Sequence, residues 1–273
     1  MNNLVVRTIS GALLVSVIVA SILLSSILFG IVFALVTSLA TREFYSIIEP
    51  ENKHNRLYGT IGGVLLFVSW LFVFNGWGGW QLAVIYPIYM IALLIAELFL
   101  KAENPIHNWA YLLMGQIMVA LPFASLIFIY HSFNNPLVLL ALFVIIWIND
   151  TGAYCVGSLM GKHKMFPRVS PKKSWEGLIG GFLFAMVAGW IFSMYANLSA
   201  DANVNLVLWL VFAALVSVFG TLGDLMESLT KRTLGIKDSG NIIPGHGGML
   251  DRFDSMLLAA PVVAIYLFLI AFV

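Results

Sequence analysis

Residues 137–160 read LVLLALFVIIWINDTGAYCVGSLM, an apolar run interrupted by one charged side chain, Asp150. A helix needs about 20 apolar residues to cross the hydrocarbon core of a bilayer, so this run is long enough to span a membrane. A charged side chain inside such a span is costly and usually faces a protein interior or a wet cavity. The run therefore predicts a transmembrane helix with a polar cavity beside Asp150.

Nine segments of the chain approach the length of a membrane span. They cover residues 6–26, 28–47, 57–75, 81–100, 109–131, 137–160, 176–197, 204–230 and 253–272. Polar or helix-breaking connections separate most of them, although only Ser25 and Ser26 divide the first two. The sequence therefore predicts an all-α, polytopic integral membrane protein with about nine transmembrane helices.

The composition agrees with a membrane protein. Of the 273 residues, 61% are hydrophobic and 10% are charged, whereas a soluble domain carries about 25% charged residues. The mean hydropathy is +0.97, and the apolar segments leave no room for a soluble domain. We predict a single membrane domain over residues 1–273, with an N-terminal helical region of about 1–135 and a catalytic region of about 136–273.

The distribution of basic residues predicts the orientation. Lys and Arg are retained on the cytoplasmic side of membrane proteins. With nine spans and a cytoplasmic N-terminus, all 14 Lys and Arg residues fall on one side. We therefore expect a multi-pass membrane protein whose basic connections face the cytoplasm. Glu43 and Glu97, near helix ends on that side, are interpreted as side chains that reach out to water.

Acidic residues near the C-terminal end of the chain predict a metal site. Asp224 and Glu227 stand three residues apart on one helical face, and Asp251 and Asp254 have the same spacing at the start of the ninth span. Neighbouring carboxylates repel each other unless a cation lies between them. A set of oxygen ligands without cysteine or histidine favours Mg²⁺. We expect one or two Mg²⁺ ions, and a monovalent cation is a further candidate. The alternative is a network of salt bridges with Lys231, Arg232 and Arg252.

Two connections on the same side have the composition of phosphate sites. Residues 237–251 are rich in glycine, and a glycine-rich turn before a helix offers backbone N–H groups to phosphate. Within it, His246 is a candidate for phosphate binding or proton transfer, or it only holds the loop. Residues 161–177 contain five basic residues, which serve either as an orientation signal or to attract anionic head groups and nucleotides.

Several of these stretches resemble a known family. The signature of phosphatidate cytidylyltransferases, or CDP-diacylglycerol synthases, resembles three stretches of this chain: residues 228–232, 237–240 and 244–254. These three stretches together are called the signature below. Residues 150–154 and 170–177 also resemble that family. The specific resemblance covers about residues 147–255, whereas the N-terminal half agrees only in being hydrophobic.

The resemblance implies a reaction and a set of residues. CTP and phosphatidate would give CDP-diacylglycerol and pyrophosphate in phospholipid biosynthesis, with Mg²⁺, in an all-helical membrane homodimer that binds membrane lipids and no nucleic acid. Metal ligands would be Asp224, Asp251 and Asp254, and catalytic residues Asp224, Asp251, Lys231 and Arg252. Substrate would contact Lys172, Lys173, Ser174, Arg232, Lys237, His246, Gly247, Gly248 and Asp150.

Other protein classes share parts of this pattern. Acidic residues inside the membrane and glycine-interrupted helices are also typical of ion-coupled transporters. A transporter, however, is expected to carry polar residues near mid-membrane at corresponding positions in the two halves of the chain, whereas the acids here gather at the cytoplasmic end of its C-terminal third. A CTP-dependent lipid-alcohol kinase would use similar groups and transfer the γ-phosphate instead. A CDP-alcohol phosphotransferase is disfavoured because its D-G-x-x-A-R signature is absent.

Overall fold

The computed structural model describes residues 3–271, apart from Lys101, Pro244 and His246, and most of them are helical. The helices are α1 (Asn3–Leu24), α2 (Ser26–Ile48), α3 (Lys53–Phe74), α4 (Ile85–Leu100), α5 (Pro105–Gly115), α6 (Leu121–His131), α7 (Leu137–Met160), α8 (Trp175–Phe192), α9 (Ala202–Thr233) and α10 (Asp254–Ile270). Shorter 3-10 segments cover Trp80–Val84, Ser132–Asn134 and Leu250–Arg252, and a π-helical segment covers Gln116–Ala120.

The predicted membrane spans are present as helices. Within the described residues, eight helical segments are long and apolar enough to cross a membrane, and α10 is a shorter ninth apolar helix of 17 residues. The fifth segment joins α5, the π-helical segment and α6 into one stretch, Pro105–Asn134. The prediction of an all-α polytopic membrane protein is confirmed.

Side-chain caps set several helix boundaries. Ser25 separates α1 from α2, and its hydroxyl accepts a hydrogen bond from the Leu28 N–H at 3.1 Å. Asn52 and Asn104 cap α3 and α5 in the same way. Asp201 accepts from two N–H groups in the first turn of α9. These short polar residues satisfy helix N–H groups that lack a partner within the helix, which is why Ser25 divides two spans that hydropathy alone hardly separates.

The chain forms two compact units. The first contains Met1–Ile127 and Asp238–Phe253, and the second contains Phe128–Lys237 and Asp254–Val273. Each unit is therefore assembled from separate stretches of sequence. The single membrane domain with a regional boundary near residue 135 stays a prediction.

Aromatic side chains form the core of the first unit. Phe29 and Phe33 of α2 lie 4.9 Å apart between ring centroids, and Phe67 of α3 lies 6.1 Å from Phe29. Phe253, from the far end of the sequence, packs edge-on against Phe123 at 5.4 Å and against Phe33 at 6.3 Å. Phe253 is only 2% exposed. Residues at the end of the signature are thus anchored in a core built from the N-terminal helices.

Small residues let the helices of the second unit approach closely. A Cβ atom on Gly181 of α8 would lie 2.7 Å from the Asn149 carbonyl oxygen of α7, and one on Gly177 would lie 2.9 Å from the Ala153 carbonyl oxygen. Close approach through small residues is typical of packed membrane helices. Buried Asn149 accepts a hydrogen bond from the Ser217 hydroxyl of α9 at 2.6 Å. This contact fixes the part of α7 that carries Asp150.

A short β-hairpin interrupts the helical architecture of the second unit. Strands β1 (Lys164–Phe166) and β2 (Ser170–Ser174) pair antiparallel between α7 and α8. The all-α prediction included no strand in this basic connection, because strands of three and five residues carry little hydrophobic periodicity. The hairpin leads directly into the N-terminus of α8.

Candidate active site

A polar cavity of about 640 Å³ lies in the second unit. Residues of α7, the hairpin, α8 and α9 line it. Among them are five side chains that the sequence analysis selected: Asp150, Lys172, Lys173, Ser174 and Asp224. The prediction of a polar cavity beside Asp150 is confirmed, and the two motifs that are distant in sequence, residues 150–154 and 170–177, line the same space.

An ion pair between the hairpin and α9 is the central polar contact of this cavity. The Lys173 ammonium lies 2.6 Å from an Asp224 carboxylate oxygen and 3.4 Å from the Thr221 carbonyl oxygen. The other Asp224 oxygen accepts a hydrogen bond from the Ser228 hydroxyl at 3.2 Å. Both partners of the ion pair remain about one quarter exposed. They can therefore still contact a bound ligand.

Four acidic groups in the second unit lie within electrostatic range of one another. Asp254 is repelled by Asp224, Glu227 and Asp150, and Asp150 is repelled by Asp224. Glu227 is 5% exposed and pairs with Lys231 at 2.5 Å. That pair agrees with the salt-bridge alternative, and Lys164, Lys172 and Lys173 line the cavity as well. Neighbouring carboxylates repel each other unless a cation lies between them, so a bound cation is compatible with this cluster.

The donor atoms fit Mg²⁺. Carboxylate oxygens are its preferred protein ligands, and it is usually held by one or two carboxylates together with water and substrate phosphates. Among the described residues, no three His, Cys, Asp or Glu side chains form a complete metal-binding group. An ion that takes its remaining ligands from a nucleotide is compatible with both facts.

The start of α8 forms one wall of the cavity. Ser174 is 3% exposed, and its hydroxyl oxygen accepts the Gly177 N–H at 3.2 Å as the helix cap. Glu176 accepts hydrogen bonds from the His163 backbone N–H, and its carboxylate lies 2.6 Å from His163 Nδ1. Lys172 is exposed. Ser174 therefore has a structural role here, and its contact with phosphate stays a prediction.

An apolar groove of about 310 Å³ adjoins the polar cavity. Its lining is provided by β1, α8 and α9 and includes Phe166, Phe182 and Leu222. Met165, Leu178 and Thr221 line both spaces. A polar cavity beside an apolar groove suits a ligand with an ionic head and a hydrocarbon tail.

The glycine loop (residues 239–249) belongs to the first unit. Asp251 is 6% exposed, and its carboxylate accepts the Ser239 N–H at 2.9 Å and the Gly248 N–H at 2.8 Å. Gly247 has φ of +84°, a conformation that glycine adopts without strain. The Asp251 carboxylate thus closes the loop on itself, a contact that the sequence analysis did not foresee.

The predicted helical pairing of Asp251 with Asp254 is wrong. Leu250–Arg252 is a 3-10 turn, Phe253 leaves the helical conformation with φ of −121°, and α10 begins only at Asp254. The i, i+3 rule requires a continuous helix. The two residues also belong to different compact units.

The predicted cationic residues outside the cavity differ in their surroundings. Arg232 is exposed and donates to the Ile236 carbonyl oxygen at 3.3 Å. Lys237 and Arg252 are exposed, whereas Lys231 is engaged by Glu227. His246 lies outside the described residues. The roles implied for these residues stay predictions.

The interpretation of Glu43 and Glu97 as water-reaching side chains is wrong. Glu43 is 6% and Glu97 is 7% exposed. The Glu97 carboxylate accepts a hydrogen bond from the Asn108 amide at 2.5 Å, and Glu43 accepts hydrogen bonds from the glycine loop. Acids within membrane spans usually face the protein interior. That rule predicts burial for both residues, but their position near helix ends was given more weight.

The fold and the cavity define a polytopic membrane protein with a site suited to an anionic amphiphile and a divalent cation. Comparison with known sequences makes the assignment specific. The chain belongs to the cytidylyltransferase family, whose sequence profile matches residues 5–270.

Several named relatives belong to the genus Staphylococcus. The chain is 42% identical over 159 residues to a phosphatidate cytidylyltransferase of Staphylococcus saprophyticus, and equally similar to one of Staphylococcus aureus. It is 47% identical over 125 residues to one of Staphylococcus haemolyticus. The matched stretches span 58%, 58% and 46% of both chains, so the chain spans about half the length of these relatives.

Proposed function

We propose that this chain is a phosphatidate cytidylyltransferase. It would transfer the cytidylyl group of CTP to phosphatidate, giving CDP-diacylglycerol and pyrophosphate. The family membership and the names of its relatives support this reaction. The observation that carries the proposal is the cavity that combines the Lys173–Asp224 pair with an adjoining apolar groove.

The chemistry requires anions to be brought together. A phosphate oxygen of phosphatidate forms the new bond to the α-phosphorus of CTP, and the bond to the β-phosphate oxygen breaks, so that pyrophosphate leaves with the bonding electrons. The attacking oxygen is already anionic near neutral pH and needs no strong base. The main barrier is repulsion between the substrates, which positioned cationic groups reduce. We propose that Lys172 and Lys173, which line the cavity, serve this purpose.

Mg²⁺ is proposed as the cofactor, with one or two ions and a monovalent cation as a further candidate. Asp224 and Asp254, assisted by Asp150, would hold it in the second unit, and Asp251 remains a proposed ligand. When bound, Mg²⁺ supplies positive charge that stabilises the transferring and departing phosphates. The acids would hold that charge within the second unit.

Further nucleotide contacts are proposed from the family resemblance. Lys231, Arg232, Lys237, Arg252 and His246 would bind phosphate, and Gly247 and Gly248 would contact the nucleotide. Basic side chains form charge-assisted hydrogen bonds with phosphate. The exposure of Arg232, Lys237 and Arg252 leaves them accessible to a nucleotide.

The lipid would stay in the membrane while its head group reacts. We propose that the phosphatidate head group enters the polar cavity and that an acyl chain follows the groove lined by Phe182 and Leu222. The concentration of Lys and Arg on one side supports a cytoplasmic site in a bacterial inner membrane. Assembly as a homodimer is proposed from the resemblance alone, and no role in nucleic-acid binding is proposed.

Product analysis tests the reaction directly. Purified protein is incubated with Mg²⁺, phosphatidate and CTP labelled in its α-phosphate, and the lipid phase is then separated by chromatography. We expect labelled CDP-diacylglycerol and an equal amount of pyrophosphate, with no labelled lipid when diacylglycerol replaces phosphatidate. Transfer of label to lipid only from γ-labelled CTP would instead identify a lipid kinase.

Substitution of Asp150 tests its role in the cavity. Asp150 is exposed to the cavity, lies within electrostatic range of Asp224, and is 3.4 Å from the Asn149 amide. Groups that surround metal ligands typically contribute about 10- to 100-fold to activity or metal affinity, and we expect a loss of this size in Asp150→Asn. Thr151→Ala, the next residue on α7, controls for disturbance of the helix. Unchanged turnover and substrate affinity in Asp150→Asn would mean that Asp150 is only structural.

A further inference from the structure

Glu43 is a buried acid in the N-terminal half of the chain, where no family motif was recognised. It lies on α2 and is 6% exposed. One of its carboxylate oxygens, Oε2, accepts the Leu250 N–H at 2.8 Å and the Ser239 hydroxyl at 3.2 Å. These donors stand at the two ends of the glycine loop. Glu43 therefore joins both ends of the loop to a helix about 200 residues earlier in the sequence.

Two glycines of the loop leave space for this carboxylate. A Cβ atom on Gly240 would lie 2.7 Å from Glu43 Oε1, and one on Gly248 would lie 2.5 Å from Glu43 Oε2. Cβ atoms do not approach oxygen atoms so closely without displacement. The loop backbone thus passes directly over the Glu43 carboxylate, and glycine at these positions permits the approach.

The same loop segments bind a second carboxylate. Ser239 donates its hydroxyl to Glu43 and its backbone N–H to Asp251. Gly248 donates its N–H to Asp251, two residues before the Leu250 N–H that Glu43 accepts. Loss of the Glu43 contacts would therefore release the backbone that orients Asp251.

A second tether comes from α1. The Arg7 Nε donates to the Gly245 carbonyl oxygen at 2.7 Å, and Gly245 has φ of +76°. This contact holds the middle of the loop, whereas Glu43 holds its ends. Arg7 is exposed and Glu43 is buried, so the Glu43 contacts are the better shielded from water.

We infer that Glu43 is a positioning residue: it fixes the glycine loop and, through Ser239 and Leu250, the orientation of Asp251 and the loop N–H groups. Its effect on turnover rests on the proposed function, because that proposal assigns phosphate and metal binding to the loop and Asp251. Its effect on the loop does not depend on any reaction. Both can be measured separately.

Three variants of the full-length protein test the inference. Glu43→Ala removes the acceptor. Glu43→Gln keeps an oxygen that can accept the hydrogen bonds from Leu250 and Ser239. The amide nitrogen of the glutamine takes the place of Oε1, which accepts no hydrogen bond from the described residues. Glu97→Ala is the matched control, because Glu97 is an equally buried acid whose hydrogen-bond donor is Asn108.

The first measurement is hydrogen exchange of the amides in peptides that cover residues 239–251. We expect Glu43→Ala to accelerate the exchange of the Leu250 amide about tenfold or more, the effect of losing hydrogen bonds to a charged group. Glu43→Gln should stay near wild type, and Glu97→Ala should leave these amides unchanged. Equal exchange in Glu43→Ala and Glu97→Ala would overturn the inference.

The second measurement is the steady-state kinetics of the same proteins with CTP and phosphatidate. We expect kcat/KM for CTP to fall about tenfold or more in Glu43→Ala and to recover in Glu43→Gln, with the KM for phosphatidate little changed. If wild type makes no CDP-lipid while the exchange results hold, the proposed function fails and the positioning role stands.

Ser239→Ala examines the contact from the loop side if Glu43→Ala does not fold. The Ser239 hydroxyl donates to Glu43, whereas its backbone N–H to Asp251 is retained in the variant. We expect faster exchange in the loop and a smaller loss of kcat/KM for CTP than in Glu43→Ala. Wild-type values for both would contradict the inference.

Discussion

Asp224→Asn is expected to lower turnover by about 100-fold or more, comparable to removing a group that stabilises charge in a transition state. Asp224 pairs with Lys173 at 2.6 Å, lines the polar cavity and lies within electrostatic range of Asp150 and Asp254. Asparagine keeps the size of the side chain but removes the charge that pairs with Lys173 and that we propose to hold a cation. The measurement is the initial rate of CDP-diacylglycerol formation at saturating substrates.

A matched substitution on the same helix provides the control. Asp201 caps the opposite end of α9, and asparagine caps helices as well as aspartate does. Asp201→Asn should therefore keep wild-type turnover and stability. Folding of Asp224→Asn is judged by size-exclusion chromatography and thermal unfolding. If the folded variant has the same turnover rate as Asp201→Asn, then Asp224 has no part in the chemistry.

Removal of divalent cations is expected to abolish the activity completely, and added Mg²⁺ should restore it. Asp254 is repelled by Asp224, Glu227 and Asp150, and two anionic substrates add more negative charge. Without a cation, neither the site nor the transition state is neutralised. The measurement is product formation after chelation and after stepwise addition of Mg²⁺.

Binding of Mg²⁺ can also be measured without substrate. A cation held only by the folded protein stabilises it by about 2.7 kcal/mol when its concentration is 100 times its dissociation constant. Mg²⁺ should therefore raise the midpoint of thermal unfolding of wild type and of Asp201→Asn, but much less that of Asp224→Asn. Full activity in chelator, or an equal thermal shift in all three proteins, would rule out the metal assignment.

The helical membrane fold could be predicted from the sequence because hydropathy and span length are local properties. The cavity beside Asp150 could be predicted for the same reason, because one charged residue in an apolar helix needs polar surroundings. Basic residues at 172 and 173 were selected from the family resemblance. Their position in the same cavity as Asp224 depends on packing that only the structure describes.

The remaining features depend on contacts between distant residues. Glu43 reads as an ordinary helix-end acid, because its donors, Ser239 and Leu250, lie far away in the sequence. The spacing of Asp251 and Asp254 suggested a common helical face, but Phe253 leaves the helical conformation to pack among aromatic rings of the first unit. The hairpin at residues 164–174 was missed because its strands are too short for a periodic signal.

The division of the first unit into two stretches of sequence affects how the protein is made. The ribosome delivers Glu43 long before Leu250, its donor 207 residues later, a delay on the order of 10 to 40 seconds at usual rates of translation. During that interval α2 must enter the bilayer with a carboxylate that still lacks these hydrogen bonds. The first unit can be completed only after most of the second has been synthesised, so its final assembly falls near the end of biogenesis.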